Sequence, residues 1–422
     1  MDKLIVHGGS TLEGSINISG SKNASLPVLA ASLLTEEDCI IRRVPDVSDT
    51  NYMIQILSAL GADVERSSGT VRITCSKIED TAPYELVRRM RASICVMGPL
   101  LARLGKAVVS LPGGCVIGDR PVDLHLRGME ALGAKIDIKG GDITLSAKKG
   151  LKGARINLAG SNGPTVLGTD NVMMAATLAK GTTVIEDAAA EPEVLDLANF
   201  LNGMGAKITG AGTRTITIEG VDSLHGVEHT VIPDRIEAGT FMAAAALAGD
   251  GVILKRVNRE HLATITEAIE ASGHKVEFNK TGTQCAIHRG HKTVGVDLET
   301  SPYPGYPTDM QAQMTALLAT TPGISVIKDT IFPQRFMHCA ELKRMGADIK
   351  IDNGTAVVHG VKKLTAAPVM ASDLRASAAL VLAGLTAKGS TTISRLYHID
   401  RGYEHIDEKL LMLGAEVERV RD

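Results

Sequence analysis

This sequence of 422 residues has no tryptophan and only 3 % aromatic residues, so few side chains are available to stack on bases or sugar rings. It has no excess of one charge: 45 Lys and Arg against 48 Asp and Glu give a formal net charge of −3. Phosphate contacts normally appear as a basic excess, so no nucleic-acid partner is expected. There is no CxxC pair, and the six cysteines (Cys39, Cys75, Cys95, Cys115, Cys285, Cys339) are scattered. Disulfide frameworks belong to small secreted domains and zinc sites need clustered ligands, so neither is expected. No apolar run approaches the roughly 18 residues of a membrane span. The segment from Met1 to Gly9 lacks the long apolar core of a signal peptide and reads as a first strand. The expectation is a soluble, cytoplasmic protein with no membrane contact. Its length suits two or three domains, each with its own core.

What is abundant is glycine, with 43 residues, and six of these mark a repeat. The pattern "apolar, Gly, Ala, charged, apolar" occurs at Leu60-Gly61-Ala62-Asp63-Val64, Leu132-Gly133-Ala134-Lys135-Ile136 and Met204-Gly205-Ala206-Lys207-Ile208. It returns at Ser272-Gly273-His274-Lys275-Val276, Met345-Gly346-Ala347-Asp348-Ile349 and Leu413-Gly414-Ala415-Glu416-Val417. Successive glycines differ by 72, 72, 68, 73 and 68 residues, so the chain is six units of one design, the fourth having lost its Ala. Each Gly follows an amphipathic run such as Met53 to Leu60, which predicts a helix C-terminus closed by a left-handed glycine. An alternating strand follows in most copies, as in Ala347-Asp348-Ile349-Lys350-Ile351.

A second kind of helix opens the units. Its starts are read at Ser21-Lys22-Asn23-Ala24, Met90-Arg91-Ala92-Ser93, Pro233-Asp234-Arg235-Ile236, Thr308-Asp309-Met310-Gln311 and Ser372-Asp373-Leu374-Arg375. Bodies such as Phe241 to Ala248 have no polar face and must be buried. Ser, Thr and Asp at these starts are ordinary N-caps. Lys22, Arg91, Arg235 and Arg375 are not, because a cation at a helix N-terminus opposes the helix dipole. Four such placements predict an anion that offsets the cost, and charged starts in both halves of the chain suggest a cleft between two lobes.

The sequence resembles the UDP-N-acetylglucosamine 1-carboxyvinyltransferases, the enolpyruvyl transferases of peptidoglycan synthesis. The resemblance covers essentially the whole chain, through Gly20-Ser21-Lys22-Asn23-Ala24, Met90-Arg91-Ala92-Ser93-Ile94, Pro112-Gly113-Gly114-Cys115-Val116-Ile117-Gly118 and Arg120-Pro121-Val122-Asp123-Leu124-His125. It continues through Pro307-Thr308-Asp309-Met310-Gln311-Ala312-Gln313, Arg335-Phe336-Met337-His338, Ser372-Asp373-Leu374-Arg375-Ala376-Ser377 and Tyr397-His398-Ile399-Asp400-Arg401. It implies an α/β fold, a two-domain inside-out α/β barrel of six βαβαββ-like repeats with buried helices. The implied lobes are residues 1–21 plus 233–422, which include the first strand, and residues 22–232, which carry the Cys115 loop.

The resemblance also implies roles. Lys22, Arg120, Arg335, Arg375 and Arg401 would form a cationic cluster for phosphoenolpyruvate, with Arg suited to the carboxylate and Lys to the phosphate. Asp309 would be the general base toward the 3′-hydroxyl of UDP-N-acetylglucosamine. Cys115, beside glycines and Arg120, would be the general acid toward C3 or act in product release, and would be the thiol alkylated by fosfomycin. Lys22, Asn23, Arg91, Arg120, Pro121, Val122, Asp123, Leu124, Asp309, Ile331, Arg335, Asp373, Arg375 and Arg401 would bind the substrates. No metal or organic cofactor and no obligate protein partner is implied. Cys95, where some relatives have Trp, and Ser48, where some have a basic residue, depart from the family. The loop Ser161 to Val166 varies among relatives. Two rival readings are the shikimate-pathway enolpyruvyl transferase and a catalytically silent paralogue that binds UDP-sugar. Cys115 and the Arg120 to Leu124 run favour the nucleotide sugar.

Overall fold

The computed structural model describes residues 2–111, 122–161 and 163–421. They fall into two compact units, one formed by Met1–Ser19 with Pro233–Asp422, the other by the described residues between Gly20 and Ile232. Each unit has its own apolar core.

The six glycines end six helices: Ser48–Ala59, Asp123–Ala131, Pro192–Gly203, Ala263–Ala271, Met337–Arg344 and Ile406–Met412. All six take positive φ, between 87° at Gly414 and 99° at Gly61. In each, the glycine N–H bonds back three residues and the next N–H bonds back five, as in Gly346 to Lys343 and Ala347 to Leu342. This is the Schellman closure, which satisfies carbonyls left over at the helix end and turns the chain into a strand. The fourth copy keeps the closure although His274 replaces the alanine, and the His274 ring accepts the Gly290 N–H through Nδ1 at 3.2 Å.

These glycines differ in their surroundings, which makes a prediction. A Cβ at Gly346 meets nothing within 4 Å, whereas one at Gly273 lies 2.3 Å from the Lys292 carbonyl oxygen. Gly346→Ala should lower unfolding free energy by about 1–2 kcal/mol, the cost of a left-handed L-residue. Gly273→Ala should cost more, because backbone must also move. Denaturant titration of both variants checks the order, and equal losses would contradict it.

In the unit containing Pro233–Asp422, three apolar helices pack against one another: Arg235–Ala248, Gln311–Leu318 and Leu374–Thr386. Every residue of the first from Ile236 onward and every residue of the second is buried. Three four-stranded sheets surround them. In strand order these are Ser15–Asn17, Val252–Lys255, Gln284–His288, Lys275–Phe278; then Leu298–Thr300, Ile324–Asp329, Thr355–His359, Asp348–Asp352; then Pro368–Met370, Ser390–Ser394, Lys3–His7, Glu416–Val420. Each begins with a parallel pair and continues antiparallel. In the last sheet Lys3–His7 takes the inner position that a hairpin strand fills in the other two, so the start of the chain completes the sixth repeat.

The second unit repeats the plan around Lys22–Ala31, Met97–Leu104 and Val166–Ala176. Among the described residues two of its sheets have four strands; a third, Lys106–Ser110, Asp142–Ser146 and Lys135–Lys139, has three and a single bridge from Thr81 to Val108, and Ala159–Gly160 pairs with Gly163–Pro164 in a small two-stranded sheet. The apolar central helices lie inside and the sheets outside in both units, with strands such as Ile324–Asp329 alternating exposed and buried.

Two helix starts differ from the sequence reading. Arg91–Val96 is a 3-10 turn and the α-helix begins at Met97. Ser93 Oγ bonds to the carbonyls of Val87 and Met90, which competes with helical hydrogen bonding. Thr308–Met310 is likewise a 3-10 turn ahead of Gln311, with the Thr308 hydroxyl drawn to Asp329. The central helix Val166–Ala176, capped by Thr165, is not among the starts read from the sequence.

Candidate active site

Cys115, Arg120 and Pro121 lie outside the described residues. The remaining predicted residues fall in two groups, one in each unit.

In the unit containing Pro233–Asp422 the group centres on Asp309. Its side chain is 25 % exposed and each carboxylate oxygen holds one guanidinium: Oδ1 accepts from Arg335 Nη1 at 2.7 Å and Oδ2 from Arg375 Nη2 at 3.0 Å. Burial pushes the Asp309 carboxyl up, but the two guanidiniums outweigh it and hold the group well below the usual carboxylate range. Both arginines are buried, and the Nε–H of each has no partner among the described residues. Two charged donors therefore keep unused hydrogen-bonding capacity, which is costly unless a ligand satisfies it.

The loop bearing Ile331 is tied to this group by Asp329, a buried residue absent from the sequence-level candidates. Asp329 Oδ1 accepts from Thr300 Oγ1 and from the N–H groups of Ile331 and Phe332 at 2.8, 3.0 and 2.8 Å. Its Oδ2 accepts from Thr308 Oγ1 at 2.7 Å, and Arg335 Nη1 donates to that hydroxyl at 3.2 Å. The only sequence signal was an aspartate at a strand end followed by a turn.

Asp373 caps the third central helix by accepting from the N–H groups of Arg375 and Ala376 at 2.9 and 3.1 Å. Its charge also reaches His338 and His398. Burial pushes the His338 imidazole down to about 4 against the pull of Asp373, with Arg335 adding to the drop. His398 is lowered by burial and by the nearby charge of Arg401. Arg401 and Asp373 thus act on His398 with opposite sign.

In the second unit Lys22 opens its helix and meets Asp49, in the first turn of Ser48–Ala59, at 2.9 Å. Asp49 is 1 % exposed and Lys22 13 %. The anion predicted to offset misplaced cations is therefore, for Lys22 and Arg375, partly the protein's own: Asp49 and Asp309. Arg235 instead lies over the Tyr303 ring, 5.6 Å from its centroid. Asn23 sits beside Lys22, and Arg91 begins the 3-10 turn.

Val122, Asp123 and Leu124 start the helix Asp123–Ala131, and the next residue, His125, is buried. Asn171 accepts from Gly98 N–H through Oδ1 at 2.8 Å and donates through Nδ2 to Ile94 O at 2.9 Å. The same amide nitrogen lies 3.0 Å from His125 Nδ1, and because it can only donate, His125 carries its proton on Nε2. Burial, with Arg91 adding, pushes this imidazole down to about 3 and keeps it neutral.

The five described cysteines are all buried. Burial raises the thiols of Cys39, Cys285 and Cys339 to about 12 and that of Cys75 to about 11, and lifts Cys95 well above its ordinary value. None has thiolate character. Among the described residues no group of His, Cys, Asp or Glu could hold a metal ion, and no helix is long and apolar enough to cross a membrane.

The model of the EPSP synthase (3-phosphoshikimate 1-carboxyvinyltransferase) family matches residues 6–410. The chain belongs to this family. Within it, the chain is 68 % identical to a UDP-N-acetylglucosamine 1-carboxyvinyltransferase of Akkermansia muciniphila, over 100 % of this chain and 99 % of that protein. It is 56 % identical to the Methylacidiphilum infernorum protein of the same name, again over 100 % and 99 %. The crystal structure of the enolpyruvyl transferase NikO from Streptomyces tendae superposes with a TM-score of 0.89 at 25 % identity, over 99 % of each chain. EPSP synthase from Acinetobacter baumannii shares the fold, with a TM-score of 0.78 at 18 % identity over 100 % of both chains. The family's two-domain inside-out α/β architecture accounts for the helix-inside, sheet-outside plan of each unit.

Proposed function

We propose that this protein transfers the enolpyruvyl group of phosphoenolpyruvate to the 3′-hydroxyl of UDP-N-acetylglucosamine and releases phosphate, as the first committed step of peptidoglycan synthesis in the cytoplasm. The observation that carries the reading is the Asp309 group: one carboxylate held between two buried guanidiniums, each with an N–H to spare. High identity to relatives named for this reaction supports the nucleotide sugar as acceptor, over the phosphorylated acceptor of the EPSP synthases.

In the addition step, the sugar 3′-oxygen forms a bond to C2 of phosphoenolpyruvate, its proton passes to Asp309, and C3 gains a proton. In the elimination step, C3 loses a proton, the double bond re-forms, and the C2–O bond to phosphate breaks. Arg335 and Arg375 play a double part. Without ligand they keep Asp309 ionised but weakly basic. A donor carboxylate or phosphate that draws on their free N–H groups competes for the same charge and raises the basicity of Asp309 as the donor arrives. Lys22, Arg120 and Arg401 add cationic contacts to the donor, and Cys115 is the acid toward C3 or acts in product release. Asn23, Arg91, Val122, Asp123, Leu124 and Ile331 hold the nucleotide sugar, the Arg120 to Leu124 run offering backbone groups to the uracil.

A phosphate-release assay with both substrates tests the proposal. Phosphate should appear only when phosphoenolpyruvate and UDP-N-acetylglucosamine are present together. Tight binding of the nucleotide sugar without turnover would instead identify a silent binding protein.

A further inference from the structure

The three central helices around Asp309 are almost wholly apolar, yet at one level they carry Thr240, Gln313 and Arg375. Polar groups in such a bundle are costly unless hydrogen-bonded. Tyr403, 2 % exposed, is the residue that connects them. Thr240 Oγ1 donates to the Ile236 carbonyl at 2.8 Å, which uses its hydrogen. It must therefore accept from the Tyr403 hydroxyl, 2.8 Å away, and this fixes the direction of the phenol O–H. The phenol oxygen is then left as an acceptor, and one Gln313 Nε2–H is shared between Thr240 Oγ1 at 3.0 Å and the phenol oxygen at 3.2 Å. The same Gln313 nitrogen donates to the backbone carbonyl of Asp309 at 2.8 Å. The Arg375 guanidinium lies over the Tyr403 ring, 5.3 Å from the centroid.

The chain reaches this point directly from Arg401. Tyr403 N–H bonds to Ile399 O at 3.0 Å, closing the turn Leu396–Arg401. Gly402 allows the approach, since a Cβ there would sit 2.7 Å from Leu374 Cδ2. One buried phenol is therefore linked to the backbone of Asp309, to the guanidinium of Arg375 and to the turn that ends in Arg401.

We propose that Tyr403 is a positioning residue for the transfer reaction, its hydroxyl holding Gln313 and Thr240 so that Asp309 and Arg375 keep their mutual geometry. The inference rests on the reaction proposed above. Tyr403 acts through other residues and touches no substrate; its effect falls on the donor end, where Arg375 lies, and not on the nucleotide.

Tyr403→Phe tests it, because phenylalanine keeps the ring beneath Arg375 and removes only the hydroxyl. With the purified full chain, kcat should fall about tenfold and KM for phosphoenolpyruvate rise roughly fivefold, while KM for UDP-N-acetylglucosamine stays within about twofold. Thr240→Val, which removes the acceptor of the phenol hydrogen without touching Arg375, should give the same split, and Thr240→Ser should restore it. A tyrosine that merely fills the core would cost thermal stability in both variants with kcat and both KM values unmoved; that result, or equal rises in the two KM values, overturns the proposal. If the wild-type protein itself releases no phosphate, the proposed reaction fails, and a crystal structure of Tyr403→Phe decides the inference separately. A displaced Arg375 supports it, and an Arg375 Nη2 to Asp309 Oδ2 distance unchanged from 3.0 Å overturns it.

Discussion

Asp309→Asn should lower kcat by about 10²–10⁴-fold, the range lost with a positioned general base. The amide keeps the size of the side chain but cannot take the proton of the attacking hydroxyl. The same substitution removes the counter-charge from Arg335 and Arg375, whose side chains are 6 % and 3 % exposed. Breaking a buried ion pair from one side costs about 3–5 kcal/mol, so the thermal midpoint should fall as well. Added inorganic phosphate should then stabilise the variant more than the wild type, because two guanidiniums are left to share an anion. Steady-state kinetics and thermal melts with and without phosphate check both parts. Turnover within tenfold of wild type would remove Asp309 from the role of base.

The second large effect is expected at Lys22. Lys22→Gln should reduce kcat/KM for phosphoenolpyruvate by about 10²–10³-fold, as when one preorganised donor to a developing anion is lost. It should also destabilise the protein, since Asp49 stays buried without its ammonium partner. The two consequences separate in a double variant. Lys22→Gln with Asp49→Asn replaces the pair by two neutral amides and should recover much of the stability while leaving kcat/KM low. Recovery of activity together with stability would mean that Lys22 serves only as the partner of Asp49. The ion pair itself explains how a cation is tolerated at a helix N-terminus: Asp49 lies in the first turn of the neighbouring helix, where its charge suits that dipole.

Much of the fold was legible because its signals are local. Whether Gly61 or Gly346 closes a helix depends on the φ of one residue and on hydrogen bonds three and five residues back. Such bonds form within one repeat, whatever the repeat packs against. The buried helices were equally plain, since a segment such as Phe241 to Ala248 offers no polar face under any arrangement. Candidate residues inside matched motifs were legible one by one, but their partners were not. Arg375 and Asp309 are 66 positions apart, Arg335 and Asp309 are 26 apart, and Tyr403 reaches Thr240 across 163. Asp49, Asp329 and Tyr403 have no local peculiarity that separates them from other acids or tyrosines.

The sequence by itself therefore determined six repeats, the helix ends that punctuate them, the apolar helices that must lie inside, and the cations that needed an anion. The tertiary structure decided which carboxylates answer two of those cations, Asp49 for Lys22 and Asp309 for Arg375, and that Lys3–His7 completes the last sheet. The division has one physical cause. A turn or a cap is settled by torsions and hydrogen bonds within a few residues. An ion pair or a buried hydroxyl is settled by separation in space and by the exclusion of water, which exist only after the helices have packed.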